Sequence, residues 1–276
     1  MNKYKDFTIL IPCYNEEETI GTVLVQMLSL NPKHIVVVDD GSTDRSTEIV
    51  KYLQGFGKII LIQHTKNVGV GSALKSGFRY CLGLNTKYVV TVDADNQHSK
   101  RDTVRVMKKI MKDDLLVVSG VRKFHKNIPL KKKFSNFMAK ISFILLYGIK
   151  TPDPLCGLRS YSKDILPELL TLENGYDWAV SVNKLMKKFG KNSGYVPIDA
   201  IYTPYSLSSK SLTYFKGFLM LYKMIMLELV RKVDLFLNNS YSDLDIAKEA
   251  NVVLPKKRAK PMYMLDERLF IVSKFN

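Results

Sequence analysis

Cysteine is scarce in this 276-residue sequence, and its distribution excludes a disulfide-stapled fold. The three cysteines, Cys13, Cys81 and Cys156, are odd in number, widely separated and without the spacing of metal ligands. We therefore expect reduced thiols in a cytosolic compartment. We also expect no signal peptide, because the chain enters a strand-like segment a few residues after Met1.

Acidic residues are few relative to basic ones. The sequence holds 42 Lys and Arg against 26 Asp and Glu, a formal net charge of +16. The stretch from Lys100 to Ser160 carries 15 basic and 4 acidic residues. Such a face can attract nucleic acid, anionic lipid headgroups or phosphorylated substrates, or it can be a solvated surface. No helix-turn-helix, zinc-finger or RNA-binding aromatic motif accompanies the charge, so we expect no nucleic-acid partner.

Apolar runs long enough to cross a membrane are absent as well. Residues 130–149 and 212–237 have basic, amphipathic helical patterns, whereas a spanning helix needs about 20 apolar residues. Basic residues among Phe, Leu, Met and Tyr fit a helix lying in a membrane interface, but packing against the main domain or a partner subunit fits equally well. We predict that the tail from Ser240 is polar and mobile.

Strand and helix patterns alternate through the first part of the chain. Strands are predicted over residues 7–11, 35–38, 58–62 and 87–92, and helices over residues 16–30, 43–53 and 69–82. Continuous apolar strands separated by amphipathic helices predict an α/β fold with a mostly parallel, twisted sheet flanked by helices. Ligands of such sheets bind beyond the carboxyl ends of the strands.

Polar motifs follow all four predicted strands. They occupy residues 12–16, 39–42, 67–69 and 93–95, in chain order. Because the carboxyl ends of parallel strands lie at one edge of a sheet, these motifs are expected to meet there. The sequence therefore predicts one ligand site built from four loops.

The acidic pair Asp93 and Asp95 stands at the end of the fourth strand. Positions i and i+2 share a face of a strand, so both carboxylates point the same way. Hard oxygen ligands of this kind suit Mg²⁺ or Mn²⁺, with waters and substrate phosphates as further ligands. The alternative is a strand capped by an Asx turn, and the convergence of the other motifs favours the metal.

Two phosphate-binding patterns are missing from the sequence. The P-loop is absent, and Gly69 and Gly71 lack the third glycine of a dinucleotide fingerprint, so a redox cofactor is not expected. Asp40 is placed to accept hydrogen bonds from the N–H groups of a nucleotide base. Alternatively, Asp39, Asp40 and Ser42 cap the following helix.

The four motifs, in their order and spacing, resemble the signature series of family 2 glycosyltransferases of the GT-A fold, a Rossmann-like architecture. The resemblance covers residues 5–210 and is strongest to the dolichyl- or polyprenyl-phosphate sugar transferases, the group typified by dolichol-phosphate mannose synthase. Residues 153–161 resemble that group's Asp-x-x-Ser-Gly-Phe-Arg-x-Tyr segment, with Cys156 for Ser and Leu158 for Phe. Residues 209–211 resemble its later Ser-Lys loop.

The resemblance implies an inverting, metal-dependent transfer of a sugar from a UDP- or GDP-sugar. Mg²⁺ or Mn²⁺ would be held by Asp93, Asp95 and Gln97, and Asp153 and Asp95 are the candidate catalytic residues. The expected donor-binding residues are Pro12, Tyr14, Glu16, Asp40, Asn67, Gly69, Asp93 and Lys210.

The acceptor decides the role of Asp153. A sugar hydroxyl must lose a proton, and Asp153 would take it. A phosphate monoester, with a second pKa near about 6, is already largely ionised, and Asp153 would then organise the site. Related lipid-phosphate transferases place acceptor contacts at positions that correspond here to Arg122, Lys132, Lys133, Ser135 and Arg159. For the lysines, a solvated helix start is the alternative.

We therefore predict a transferase domain over residues 1–210, and an interfacial or packing helix with a basic tail over residues 211–276. The leading hypothesis is sugar transfer to polyprenyl phosphate by an enzyme bound peripherally to the cytoplasmic face of a membrane. Its expected partners are the nucleotide sugar, the lipid phosphate, an anionic membrane surface and, optionally, a separate membrane subunit. Transfer to a hydroxyl of a growing glycan, or a catalytically silent nucleotide-binding protein, are the alternatives.

Overall fold

The computed structural model describes residues 4–123, 130–172, 177–199, 201, 233 and 270–273. The side chains of residues 130–132, 134, 135, 146, 177 and 270–273 lie outside that description. One compact unit comprises residues 1–211 and 269–276, and a second comprises residues 212–268, of which only Val233 is described. The predicted helix over residues 212–237 and the donor contact Lys210 therefore lie outside the described residues.

Strands and helices alternate along the described chain. The strands are β1 (Phe7–Cys13), β2 (His34–Asp39), β3 (Ile59–His64), β4 (Tyr88–Thr91), β5 (Val117–Arg122), β6 (Arg159–Ser162), β7 (Ser193–Ile198) and β8 (Phe270–Ser273). The α-helices are α1 (Ile20–Leu28), α2 (Ser46–Gln54), α3 (Val70–Leu82), α4 (Lys100–Asp113), α5 (Leu130–Tyr147), α6 (Leu166–Leu170) and α7 (Asp177–Phe189).

The strands form one eight-stranded sheet in the order β7-β5-β6-β4-β1-β2-β3-β8. Strands β3, β2, β1 and β4 are parallel, and β5 pairs in parallel with β7. Strand β6 runs antiparallel between β4 and β5, and β8 runs antiparallel beside β3. The predicted α/β fold with a mostly parallel sheet is confirmed.

Apolar side chains project from both faces of the sheet and form two hydrophobic cores. In β1, Phe7, Ile9 and Ile11 enter the core beneath α1, α2 and α4, whereas Leu10 enters the opposite core beneath α3 and α7. This alternation explains why β1 reads as a continuous apolar run, because a strand covered on both faces buries every side chain. Each fully buried aliphatic or aromatic side chain stabilises the fold by about 1.5–3 kcal/mol.

The three cysteines are unpaired and buried, in agreement with the expected free thiols. Burial raises the pKa of Cys13, Cys81 and Cys156 to about 12. These thiols are therefore protonated and unreactive at neutral pH.

The end of the chain departs from the prediction of a polar, mobile tail. Strand β8 pairs with β3, so that Phe270 faces His64 and Ser273 faces Leu61 in the register. For these residues the prediction is wrong, because the open edge of β3 presents N–H and C=O groups that an added apolar strand satisfies. None of the helices described here is long and apolar enough to cross a membrane.

Candidate functional site

The loops after β1 and β2 are joined by hydrogen bonds between backbone and side chain. The N–H of Asn15 donates to Ser42 Oγ at 2.9 Å, and the N–H of Glu16 donates to Ser46 Oγ at 2.8 Å. In the other direction, the N–H of Thr43 donates to Asn15 Oδ1 at 2.7 Å. These bonds fix two of the four predicted motifs against each other.

The same bonds explain why two helices begin later than predicted. Helix α1 begins at Ile20 rather than residue 16, and α2 begins at Ser46 rather than residue 43. The N–H groups just before each helix donate to the neighbouring loop, and Asn15 adopts a positive φ of 50°. The chain therefore uses these residues to join the loops instead of adding a helical turn.

The two aspartates after β2 have different partners. Asp39 accepts from the Ser42 N–H at 3.2 Å and from the Thr47 hydroxyl at 2.6 Å, so it secures the turn into α2. Asp40 instead accepts from the N–H groups of Val68 and Gly69, at 3.1 and 2.8 Å. The N-cap residue of α2 is Arg45, so neither aspartate occupies the capping position of this helix. The motif of residues 67–69 is thus held by Asp40, which belongs to the motif after β2.

The acidic pair lies just beyond β4. Asp93 is half-buried, and its Oδ2 lies 3.0 Å from Nε2 of His98. Burial opposes ionisation of Asp93, but the hydrogen bond and charge of His98, together with the charges of Arg122 and Arg159, hold its pKa below the ordinary value. Asp93 is therefore anionic over the physiological pH range.

Asp95 has the opposite electrostatic character. Its Oδ1 accepts the N–H of Gln97 at 3.0 Å in an Asx turn, as the alternative interpretation of the sequence proposed. Burial and then the charge of Asp93 raise the pKa of Asp95 to about 6. Two carboxylates that oppose each other's ionisation favour a cation between them.

Gly157 leaves the space in front of Asp93 open. A Cβ built on Gly157 would lie 2.3 Å from both carboxylate oxygens of Asp93. The glycine carbonyl is fixed by the Thr91 hydroxyl, which donates to it at 2.7 Å. Only glycine allows the backbone of this segment to come so close to the acidic pair.

These residues fit a divalent cation. Two carboxylates and the half-buried Gln97 supply hard oxygen atoms, and Gly157 keeps the space beside them clear. The described residues contain no group of three or more His, Cys, Asp and Glu that would enclose a metal. A cation here would therefore depend on waters and substrate phosphates for its remaining ligands.

A second carboxylate, Asp153, forms a closed ion pair with Arg122. Its side chain is 0% exposed, and it accepts from Arg122 Nε at 2.7 Å, Nη2 at 2.8 Å and the backbone N–H at 3.1 Å. Such a bidentate pair is rigid and directional. The structure thus joins Asp153, a predicted catalytic residue, to Arg122, a predicted contact of the acceptor phosphate.

Arg159 is buried rather than presented to a ligand. It is 3% exposed, lies opposite Thr91 in the β4–β6 pairing, and its Nη2 donates to the carbonyl of Pro154 at 3.2 Å. It therefore holds the segment between Asp153 and Gly157 and adds positive charge near Asp93. The contact with an acceptor phosphate stays a prediction.

The remaining predicted site residues divide by position. Tyr14 is 39% exposed, Pro12 and Glu16 are half-buried, and Asn67 is exposed in the loop after β3. All four stand at the carboxyl edge of the sheet, as predicted. In the first turns of α5, Lys133 is half-buried, whereas the side chains of Lys132 and Ser135 lie outside the described residues.

Three residues of the site were not selected from the sequence. His98 binds Asp93, His64 binds Asp40, and Gly157 clears the space before the acidic pair. Gly157 stands inside the segment of residues 153–161, and His98 follows the acidic pair by three residues, so position along the sequence was the available signal. Nothing in the sequence pattern links His64 to Asp40, which is 24 positions earlier.

Comparison with known proteins identifies the family to which the chain belongs. The family model described as glycosyl transferase family 2 matches residues 8–170. Over 246 residues, the chain is 34% identical to a UDP-N-acetylglucosamine–dolichyl-phosphate N-acetylglucosaminyltransferase of Methanococcus voltae, covering 82% of this chain and 97% of that protein. It is 30% identical over 175 residues to an undecaprenyl-phosphate 4-deoxy-4-formamido-L-arabinose transferase of Yersinia enterocolitica, covering 61% and 52%.

Solved structures show the same architecture. A glucosyl-3-phosphoglycerate synthase of Mycobacterium tuberculosis, in complex with Mn²⁺, UDP-glucose and phosphoglyceric acid, has a TM-score of 0.59. The identity is 16%, and the match covers 75% of each chain. At that identity the likeness shows the fold alone, and it agrees with the predicted GT-A architecture.

Proposed function

This chain belongs to glycosyl transferase family 2, and we propose that it moves a sugar from a nucleotide sugar to a polyprenyl phosphate with the help of a divalent cation. Glycosyl transfer and the GT-A fold follow from the family. The lipid phosphate acceptor is supported by the relatives from M. voltae and Y. enterocolitica, which are named as transferases acting on dolichyl phosphate and undecaprenyl phosphate. Peripheral binding to the cytoplasmic face of a membrane completes the proposal.

The Arg122–Asp153 pair carries the choice of acceptor. A general base must reach the proton that it removes and must be able to receive it. Asp153 is fully buried and already accepts three hydrogen bonds, two of them from a guanidinium. A phosphate acceptor needs no such base, because at neutral pH it is largely ionised. The pair therefore supports a phosphate acceptor, with Asp153 orienting Arg122.

The donor side of the proposal rests on the acidic pair. Asp93, Asp95 and Gln97 would hold Mg²⁺ or Mn²⁺, which would neutralise charge on the departing diphosphate as a Lewis acid. An oxygen of the acceptor phosphate forms a bond to C1 of the sugar while the C1–O bond to the diphosphate breaks and its electron pair leaves with the diphosphate. We assign binding of the nucleotide to Tyr14, Glu16 and the loop of residues 67–69, which stand at the carboxyl edge of the sheet.

Helix α5 supports contact with a membrane. Phe137, Ile144 and Leu145 are 57%, 44% and 73% exposed, while Phe143 on the opposite side of the helix is buried. Lysines lie beside this helix: Lys184 Nζ is 4.7 Å from the centre of the Tyr147 ring, and Lys187 Nζ binds the carbonyl of Gly148. Exposed apolar side chains beside lysines suit the interface of an anionic bilayer.

The test is a screen of nucleotide sugars with purified protein and Mg²⁺ or Mn²⁺, in which polyprenyl phosphate and glycan hydroxyls are offered as separate acceptors. We expect sugar-phospholipid product and nucleoside diphosphate only with the lipid phosphate. Transfer to a hydroxyl acceptor alone contradicts the acceptor, and no diphosphate release from any donor contradicts the enzyme activity proposed here.

The Asp153→Asn variant separates the two acceptor classes. If Asp153 only orients Arg122, the variant keeps measurable turnover and the pH profile of the wild type. If Asp153 is a base, turnover is lost almost completely and its rising pH limb disappears. The second result contradicts the proposed acceptor.

A further inference from the structure

A line of hydrogen bonds, buried at His64 and Asp40 and half-buried at Ser76, runs behind the donor loops, separate from the acidic pair. Ser76 Oγ lies 3.0 Å from Nε2 of His64, and Nδ1 of His64 lies 2.6 Å from Oδ1 of Asp40. The side chains of His64 and Asp40 are 5% and 4% exposed. Because Asp40 follows β2, His64 ends β3 and Ser76 lies in α3, these bonds join three elements of the donor half.

Asp40 makes three hydrogen bonds within the protein. Besides His64, its two oxygens accept the N–H groups of Val68 and Gly69. A carboxylate has about four acceptor positions, so these three bonds fix the orientation of Asp40 and leave one position for a ligand such as a nucleotide base. Its visible function is to hold the loop between β3 and α3.

That loop has a conformation that needs support. Gly69 has a φ of 94°, which a side chain disfavours. Gly41 has a φ of 74°, and a Cβ added to it would lie 2.5 Å from the carbonyl carbon of Lys66. The loops of residues 39–42 and 66–69 are therefore pressed together, and the bonds to Asp40 offset the cost of ordering them.

We propose that Ser76, His64 and Asp40 form a positioning network that fixes the loop of residues 66–69 for the donor nucleotide. His64 donates its Nδ1–H to Asp40, and in that tautomer Nε2 accepts the hydroxyl of Ser76. His64 and Ser76 thus control donor affinity without touching the donor. The inference rests on the proposed function only in naming a nucleoside diphosphate as the ligand.

The same residue types form hydrolytic triads, but this arrangement differs from them. Asp40 binds two backbone N–H groups in addition to the histidine. Ser76 lies within α3 rather than on the strained turn that presents a nucleophile. Positioning is therefore the role that the contacts support.

The experiment compares four variants by two measurements. Amide hydrogen exchange of Val68 and Gly69 is followed by NMR without any ligand, and the binding of UDP and of GDP with Mg²⁺ is measured by calorimetry. His64→Leu removes the bonds to Asp40 and to Ser76, whereas His64→Asn keeps a donor near the position of Nδ1. Ser76→Ala removes only the bond between the Ser76 hydroxyl and Nε2 of His64. Thr86→Val is the matched control, since it removes a buried hydroxyl contact with Thr8 at the amino end of β1.

We expect His64→Leu to accelerate exchange of both amides and to weaken diphosphate binding by at least about tenfold, the loss expected for a hydrogen bond to a charged group. His64→Asn should recover most of that loss, and Ser76→Ala should show a smaller effect in the same direction. Thr86→Val should leave exchange at Val68 and Gly69, and diphosphate affinity, within about twofold of the wild type.

Unchanged exchange of Val68 and Gly69 in His64→Leu overturns the network. Faster exchange with unchanged binding overturns its link to the donor. If His64→Leu does not fold, unchanged exchange in both His64→Asn and Ser76→Ala overturns the proposal in its place. Failure of the wild type to bind either diphosphate contradicts the proposed function, while the exchange measurement still tests the network.

Discussion

The proposed donor and acceptor sides of the site are held together by different interactions. On the donor side, loops after neighbouring strands are joined by several hydrogen bonds, such as those from the N–H groups of Asn15 and Glu16 to Ser42 and Ser46. On the acceptor side, one buried ion pair, Arg122 with Asp153, connects β5 to the segment before β6. The donor loops share many hydrogen bonds of similar strength, whereas on the acceptor side one buried charged pair is the strongest contact, beside single bonds from Thr91 and Arg159.

The sheet topology explains this difference. The donor loops leave adjacent parallel strands in the order β3-β2-β1-β4, so their backbone groups lie side by side. The acceptor segments flank β6, which enters antiparallel between β4 and β5. The segment between Asp153 and Gly157 lies before β6, so side-chain contacts, with the charged pair as the strongest, connect it to the sheet.

Breaking the ion pair should give the largest effect. Arg122→Met should lower the free energy of unfolding by about 3–5 kcal/mol, because Asp153 is left buried without a counter-charge. The double variant Arg122→Met with Asp153→Leu should recover most of that stability without recovering turnover. Urea denaturation and an activity assay measure both quantities.

The control for this prediction is the half-exposed pair between Lys109 and Asp113. Asp113→Asn should cost less than about 1 kcal/mol, as surface pairs do. Equal losses at the two pairs would show that the acceptor side does not depend on Arg122 and Asp153 in the way described.

Filling the space before Asp93 should give the next largest effect. Gly157→Ala places a Cβ against the carboxylate and should weaken Mn²⁺ binding by about 10- to 100-fold, as changes beside metal ligands do. Gly83→Ala is the matched control, because its Cβ would lie 3.5 Å from the nearest atom, the carbonyl oxygen of Tyr80. Titration with Mn²⁺ followed by electron paramagnetic resonance distinguishes them, and equal affinities would contradict a cation beside Asp93.

A single donor-side contact should matter less. Ser46→Ala removes the acceptor for the Glu16 N–H and should cost about 1 kcal/mol in the free energy of unfolding. Ser29→Ala, at an exposed position on the same side of the fold, serves as the control and should cost less. A loss at Ser46 as large as that at Arg122 would remove the distinction between the two sides.

A separate effect is a pH dependence at Asp95. Its pKa is raised in the folded protein to about 6, so the native state binds more protons than the unfolded chain between about pH 4 and pH 6. Its contribution to stability therefore falls as the pH rises through that range. In metal-free protein, Asp95→Asn should have a higher Tm than the wild type at pH 7, and the difference should shrink toward pH 4.

The opposite sign at Asp95, a lower Tm of the variant at pH 7, would show that this carboxylate is stabilised by its neighbours rather than opposed by Asp93. Added Mg²⁺ should narrow the difference at pH 7, because a cation favours the ionised form of the wild-type residue.

The sequence predicted the parts of the molecule that depend on local pattern. Apolar runs gave the four strands and the helices between them, and the parallel order placed their motifs at one edge of the sheet. The acidic pair could be assigned because residues i and i+2 of a strand share a face, and Asp95 also forms the alternative Asx turn. Helix starts were less accurate, because residues before Ile20 and Ser46 bind the adjacent loop.

Contacts between distant residues were decided only by the tertiary structure. No local pattern in the sequence identifies which residues pair in three of these contacts. They are Arg122 with Asp153, His64 with Asp40, and β8 with β3. The sequence by itself determined the family chemistry and the edge at which it occurs, since these follow from strand periodicity and motif order. The tertiary structure decided which carboxylates remain available to a ligand, because burial and hydrogen-bond saturation depend on the packing of the whole chain.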